Sequence, residues 1–168
     1  TYDFSQALRS IFREDVDVAM IGEMRDAETM AAAVTAAETG HLVLSTLHTN
    51  NAAQSIDRII DTFPSNQQNQ IRMELASSLL AIVSQRLIQR VSGGLIPATE
   101  VMLATPAIRN LIREARTHEI DLIIETGSNQ GMISLNRSLA GLVRQGEITI
   151  ENAQAYSLSP AELQALMR

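Results

Sequence analysis

The chain contains no cysteine, no lysine and no tryptophan, and aromatic residues make up only 3% of its 168 residues. Without cysteine, disulfides and thiolate metal sites are excluded, which fits a reducing compartment. Without lysine, all 13 cationic residues are arginine. A G-x-x-x-x-G-K-[ST] phosphate-binding loop is therefore absent from this chain, because that loop uses its lysine ammonium to reach the β- and γ-phosphates. No apolar run approaches the length that spans a bilayer, so no direct membrane insertion is expected. Thr1 to Arg9 lack the apolar centre of a signal peptide. A net charge of −6 is the wrong sign for a nucleic-acid binder, which needs surplus cations over phosphate. No histidine and acid share the spacing of a zinc motif such as H-E-x-x-H, and no directly bound metal is expected.

What is present is an aliphatic core, with hydrophobic residues forming 45% of the chain. Apolar residues at helical spacing predict a helix over 4–13. Residues 17–21 (DVAMI) read as a short buried parallel strand that Gly22 closes. An alanine-rich stretch over 26–39 reads as a helix, with Asp26 as N-cap and Gly40 just past its end. Residues 41–47 (HLVLSTL) read as a second buried strand. The order helix, strand, helix, strand with short links is an α/β pattern with a parallel sheet. Two helices follow, about 51–62 and 66–81, parted by Phe63-Pro64. Runs over 82–91 and 95–104 flank Ser92-Gly93-Gly94 and predict a β-hairpin, with Pro97 marking a strand that begins at a sheet edge. Thr105-Pro106 then opens a helical region of about 106–115, 117–126, 134–145, 151–157 and 160–167. A subdomain boundary is expected near 105, between residues 1–104 and 105–168.

Two segments could carry chemistry. The first strand ends in Gly22-Glu23-Met24-Arg25-Asp26. In open α/β sheets ligands sit outside the carboxyl ends of the strands, so Glu23 reaches the place where a carboxylate can position or deprotonate a water. The spacing alone equally allows a helix N-terminus with acidic caps. The second strand also ends in polar residues, and Thr46, His48 and Thr49 are expected at the same rim as Glu23. A lone histidine there is ordinarily a hydrogen-bonded structural residue. Two strands in tandem with titratable ends favour a site. Farther on, Ile108, Leu111 and Ile112 make an apolar face, while Arg109, Arg113 and Arg116 make a basic one. That pattern describes a solvated surface helix or a docking face.

GEMRD, followed after a short alanine-rich helix by TAAETGHLVLSTLHTN, resembles the Walker B and histidine boxes of the ATPases that power type II secretion and type IV pili. Residues 105–114 (TPAIRNLIRE) are similar to a C-terminal motif of the pilus-retraction branch of that family. The absence of cysteine agrees with that branch, since the extension and secretion branches generally carry a four-cysteine zinc insertion. The resemblance implies the C-terminal part of a RecA-like, additional-strand P-loop NTPase domain with a β-hairpin, then an all-helical C-terminal subdomain. It implies Glu23 as the general base that activates water, with Gly22 and Asp26 shaping the Walker B turn. It places His41, Thr46 and His48 in the histidine box near the γ-phosphate, and Arg13 and Arg25 beside phosphate or a neighbouring subunit. Ala107, Ile108, Arg109, Asn110, Leu111, Ile112, Arg113 and Glu114 would form a segment needed for retraction rather than hydrolysis.

The implied activity is hydrolysis of ATP with Mg²⁺ by a cytoplasmic homo-hexamer. The motor would sit peripherally at the inner membrane face and engage an inner-membrane pilus platform protein. One departure is Val16, where the family usually has proline. A larger one is the lack of an N-terminal PAS-like domain, a Walker A loop and an acidic box before Thr1. With Thr1 not being methionine, the chain is expected to be part of something longer, and inactive by itself. The alternative is a truncated, non-catalytic paralogue that binds or regulates the same machinery.

Overall fold

The computed structural model describes Ser10 and residues 15–168. Apart from Ser10, the helix expected over 4–13 lies outside the described residues, as does Arg13. The chain is of the mixed α/β class, and its contacts group it into two compact units. The first contains residues up to Thr49, Ala53–Leu80 and Ala104–His118. The second contains Asn50–Ala52, Ala81–Leu103 and Glu119–Arg168. Packing thus groups the hairpin with the last helices, and the helix after Thr105 with the parallel strands.

The first unit is built on two parallel strands, β1 (Val18–Ile21) and β2 (Leu42–Ser45), in register from Val18 opposite Leu42 to Ile21 opposite Ser45. Parallel strands need a crossover, and α1 (Ala27–Glu38) supplies it. Asp26 starts α1 by accepting from the Thr29 N–H at 2.8 Å. Thr29 Oγ1 also donates to the other carboxylate oxygen at 3.0 Å. Gly40, with φ +101°, ends α1, because a side chain there would be strained. Ile21 and Ala33 form a small buried cluster under Met24, Ala32 and Val43. The unit continues with most of α2 (Ala52–Asp61) and with α3 (Ser65–Ser78) and α4 (Pro106–Arg113). Helix α3 stops at Ser78, short of the expected 81, because β3 begins at Ala81.

Helix α4 begins as expected, with Thr105 as N-cap and Pro106 in the first turn. It ends at Arg113, and Ala115 sits at φ +58°, a conformation that costs L-residues roughly 1–2 kcal/mol. Ala115→Gly is therefore expected to raise stability by about 1 kcal/mol. Urea unfolding checks this, and an unchanged midpoint would count against the strain.

The second unit holds the hairpin of β3 (Ala81–Gln89) and β4 (Leu95–Leu103), antiparallel with Ala81 opposite Leu103 and Gln89 opposite Leu95. Gly93 (φ +91°) and Gly94 (φ +77°) close its turn. Its inner face joins Ile88 and Ala98 to Leu135, Leu139 and Ala140 of α6 (Leu135–Arg144), Ile148, Ala153 of α7 (Ile150–Tyr156) and Leu163 of α8 (Pro160–Met167). The expected helix over 117–126 divides into a 3₁₀ turn at Thr117–Glu119 and α5 at Ile120–Thr126.

Glu100 is buried on β4, and its carboxylate accepts the Ala52 N–H at 2.8 Å. Burial pushes this carboxyl above its ordinary range, and the charge of Asp121 adds to the rise, while the Ala52 hydrogen bond offsets part of it. A raised folded pKa means that the contribution is complete at low pH and is lost as pH climbs through that value. Glu100→Gln keeps an acceptor but removes the titration. Urea midpoints compared at about pH 5 and about pH 8 are expected to differ less in the variant than in the parent. Equal differences in both would contradict this reading.

Candidate functional site

The two parallel strands deliver their polar ends to one rim. Beyond β1 the backbone stays laced to the end of β2, where the Met24 N–H donates to the Thr46 carbonyl at 3.3 Å. Thr46 Oγ1 in turn donates to the Gly22 carbonyl. These contacts hold Glu23 beside the residues that follow β2. One Glu23 carboxylate oxygen lies 2.7 Å from Arg25 Nη2 and the other 3.0 Å from His48 Nε2. Arg25 and His48 are largely exposed, and Glu23 is more sheltered, at 25% side-chain exposure. The hydrogen bond from Arg25 holds the Glu23 carboxyl below the usual carboxylate range. Partial desolvation opposes this, and the charges of Arg25 and His48 reinforce it. Glu23 is therefore an ionised acceptor at neutral pH, able to take a proton from water when Arg25 and His48 move aside.

The other expected residues fall in different places. Asp26 is held below its ordinary range by the Thr29 backbone and side-chain hydrogen bonds, and its position is that of the α1 N-cap. Gly22 has room around it, since an added Cβ would meet no atom within 4 Å. Its carbonyl, rather than its missing side chain, is what the rim uses. Thr49 Oγ1 pairs with Ser55 Oγ at 2.6 Å.

His41 is not brought to this rim. It precedes β2, and Nδ1 lies 3.1 Å from the Ala36 carbonyl and 3.2 Å from Thr39 Oγ1, at the C-terminal end of α1. Seven residues of extended chain separate it from His48, roughly 20 Å. Strand direction explains the correction, because His41 and His48 flank opposite ends of β2. The structure therefore unites Gly22, Glu23, Arg25, Thr46 and His48, leaves His41 and Asp26 as helix caps, and does not describe Arg13. A residue that spacing missed is Ser45, whose buried Oγ has no hydrogen-bond partner at the end of β2. A hydroxyl within an apolar run was its only signal. Among the described residues no group of three or more His, Cys, Asp or Glu could hold a metal ion.

The 107–114 segment lies on α4. Ile108 and Ile112 are fully buried and Leu111 nearly so. Ala107, Asn110, Arg113 and Glu114 are exposed. Arg109 is half-buried and points its guanidinium at backbone carbonyls, donating from Nε to Ala104 at 2.8 Å and from Nη1 to Ala76 at 2.6 Å.

The sequence pattern of a family described as type II/IV secretion system protein matches residues 1–94. Among curated proteins, the type IV pilus retraction ATPase PilT of Pseudomonas aeruginosa is 49% identical over 160 residues, 95% of this chain and 46% of that protein. A twitching motility protein of Neisseria gonorrhoeae is 48% identical over 155 residues, 92% of this chain and 41% of that protein. A crystal structure of the pilus retraction motor PilT with bound ADP superposes with a TM-score of 0.87 at 45% identity, covering 98% of this chain and 46% of that one. The chain thus spans less than half the length of these relatives.

Proposed function

The chain belongs to the type II/IV secretion system protein family, and from that premise we propose that it is the hydrolytic and pilus-engaging part of a retraction motor. In this reading residues 1–104 are the C-terminal half of a RecA-like ATPase core, and 105–168 are a helical subdomain that passes motion on. The complete protein is a cytoplasmic homo-hexamer that works at the inner membrane face against an inner-membrane pilus platform protein. The observation that carries the reading is Glu23 at the carboxyl end of a parallel strand, held between Arg25 and His48. The kinship with PilT at 49% identity supports the choice of retraction. Among the described residues no helix is long and apolar enough to cross a membrane.

Glu23 acts as general base. It takes a proton from water as the water oxygen bonds to the γ-phosphorus of ATP, and the bond from that phosphorus to the bridging oxygen breaks to leave ADP and phosphate. Before that step Arg25 must release the carboxylate, since an acceptor already saturated by a guanidinium is a poor base. Arg25 is exposed enough to turn toward phosphate. His48, on the same rim, reports the presence of the γ-phosphate. Mg²⁺ bound with the nucleotide would neutralise charge on its phosphate oxygens.

The lack of lysine supports a second reading, in which the chain alone is a non-catalytic module of the pilus or type II secretion machinery. A chimera separates the two. This chain replaces the matching part of the Pseudomonas aeruginosa relative, in a strain lacking its own retraction ATPase. Restored twitching supports the motor reading. A stable, hexameric chimera that neither hydrolyses ATP nor restores twitching supports the second reading.

A further inference from the structure

Helix α3 ends without a cation of its own, since no basic residue lies in its last turn. Its final carbonyls have no partner within the helix and form the negative end of its dipole. Arg109, from α4, fills that gap. Nη1 donates to the carbonyls of Ala76 at 2.6 Å and Ser77 at 2.5 Å, and Nε donates to Ala104 at 2.8 Å. One planar guanidinium thereby joins the end of α3 to the residue before the Thr105 N-cap. The Ala104 N–H is itself bonded to the Leu80 carbonyl at 2.9 Å. An ammonium on a flexible stem could not span this set with the same fixed geometry. The apolar side of α4, with Ile108, Leu111 and Ile112, sets the depth of the helix. Those contacts are non-directional and would tolerate rotation or sliding. The three carbonyl bonds are directional and fix where the helix starts.

The two arginines of the 107–114 segment are placed differently. Arg109 is turned inward, whereas Arg113, one turn farther along, is exposed. Glu114 is engaged locally by Asn110 Nδ2 at 2.9 Å and Arg116 Nη1 at 2.8 Å. We infer that Arg109 is a positioning residue that fixes α4 on the end of α3, so that the Arg113 guanidinium is presented to the motor's partner at one place and angle. This rests on the reading of the 107–114 segment as needed for retraction, and it assigns the partner contact to Arg113 rather than Arg109.

The test combines amide exchange on this chain with twitching by the chimera. Arg109→Ala is expected to speed exchange about tenfold or more at residues 79–80 and 104–114, the amount set by loss of charge-assisted bonds. Amides of 135–144 in the second unit should keep their parent rates. Arg109→Gln, which retains part of the stem and a single amide, serves if the alanine variant does not fold. Arg113→Ala should leave exchange at the parent rate. In the chimera both Arg109 and Arg113 variants should stop twitching. Millimolar guanidinium, added to the purified Arg109→Ala chain, should restore protection at 104–114, a readout that general loosening would not give. Parent-like exchange in both Arg109 variants overturns the inference, as does normal twitching by a variant whose α4 is loosened. Normal twitching by Arg113→Ala with loosened exchange in Arg109→Ala overturns the assignment to Arg113. Failure of the parent chimera to twitch would instead fault the underlying motor reading.

Discussion

Glu23→Gln in the chimera is expected to lower kcat for ATP hydrolysis by roughly 10²–10⁴-fold while nucleotide binding persists. Glutamine keeps the shape of the side chain, its Oε1 can still accept from Arg25 and its amide N–H can pair with the His48 ring, so the rim should stay assembled. What it loses is the capacity to take a proton. The depressed pKa sharpens the expectation, because Glu23 is fully ionised at neutral pH and the parent starts from the competent protonation state. A variant that lost binding together with turnover would show that Glu23 holds nucleotide or structure. Turnover within a few-fold of the parent would place the base elsewhere. Thr46 and His48 would then be the first residues to consider, since they share the rim.

The purified chain is expected to self-associate through one face of its parallel pair. Val18, Met20, Leu42 and Leu44 alternate outward along β1 and β2, and they are 53%, 68%, 42% and 48% exposed. The register places Val18 beside Leu42 and Met20 beside Leu44, so the four form one continuous apolar patch. Fully burying a side chain of this kind contributes about 1.5–3 kcal/mol. Covering the exposed half of all four is therefore worth on the order of 3–6 kcal/mol, enough to drive association at modest concentration. Sedimentation velocity should show a concentration-dependent shift. Met20→Glu combined with Leu44→Glu should abolish it, because two adjacent carboxylates would have to be buried together. A sharp monomer at every concentration, with cooperative unfolding, would contradict the expectation.

Much of this architecture was legible because local chemistry and global packing agree. Asp26 with Thr29, Thr105 with Pro106, and Gly93 with Gly94 each fix an element boundary through bonds or dihedral angles that involve only near neighbours. The meeting of Glu23 with Thr46 and His48 was legible too, since parallel strands joined by a helix present their carboxyl ends together. His41 was less legible. The resemblance treats it and His48 as one box, yet the strand between them sends them to opposite ends. Arg109 was read as part of a basic face. Periodicity places a side chain on a face of its own helix, but it cannot reveal that another helix offers bare carbonyls there. Glu100 escaped for the same reason, because its partner, the Ala52 N–H, is 48 residues away in sequence.

The most direct test of the account is binding of a fluorescent ATP analogue with Mg²⁺, measured on the purified chain and on the Glu23→Gln chimera. No saturable binding is expected to the chain, which has no lysine to grip the phosphates, and tight binding without turnover is expected of the chimera. Tight binding by the chain alone would mean that its arginines hold the phosphates, and would contradict the division of labour proposed for this motor.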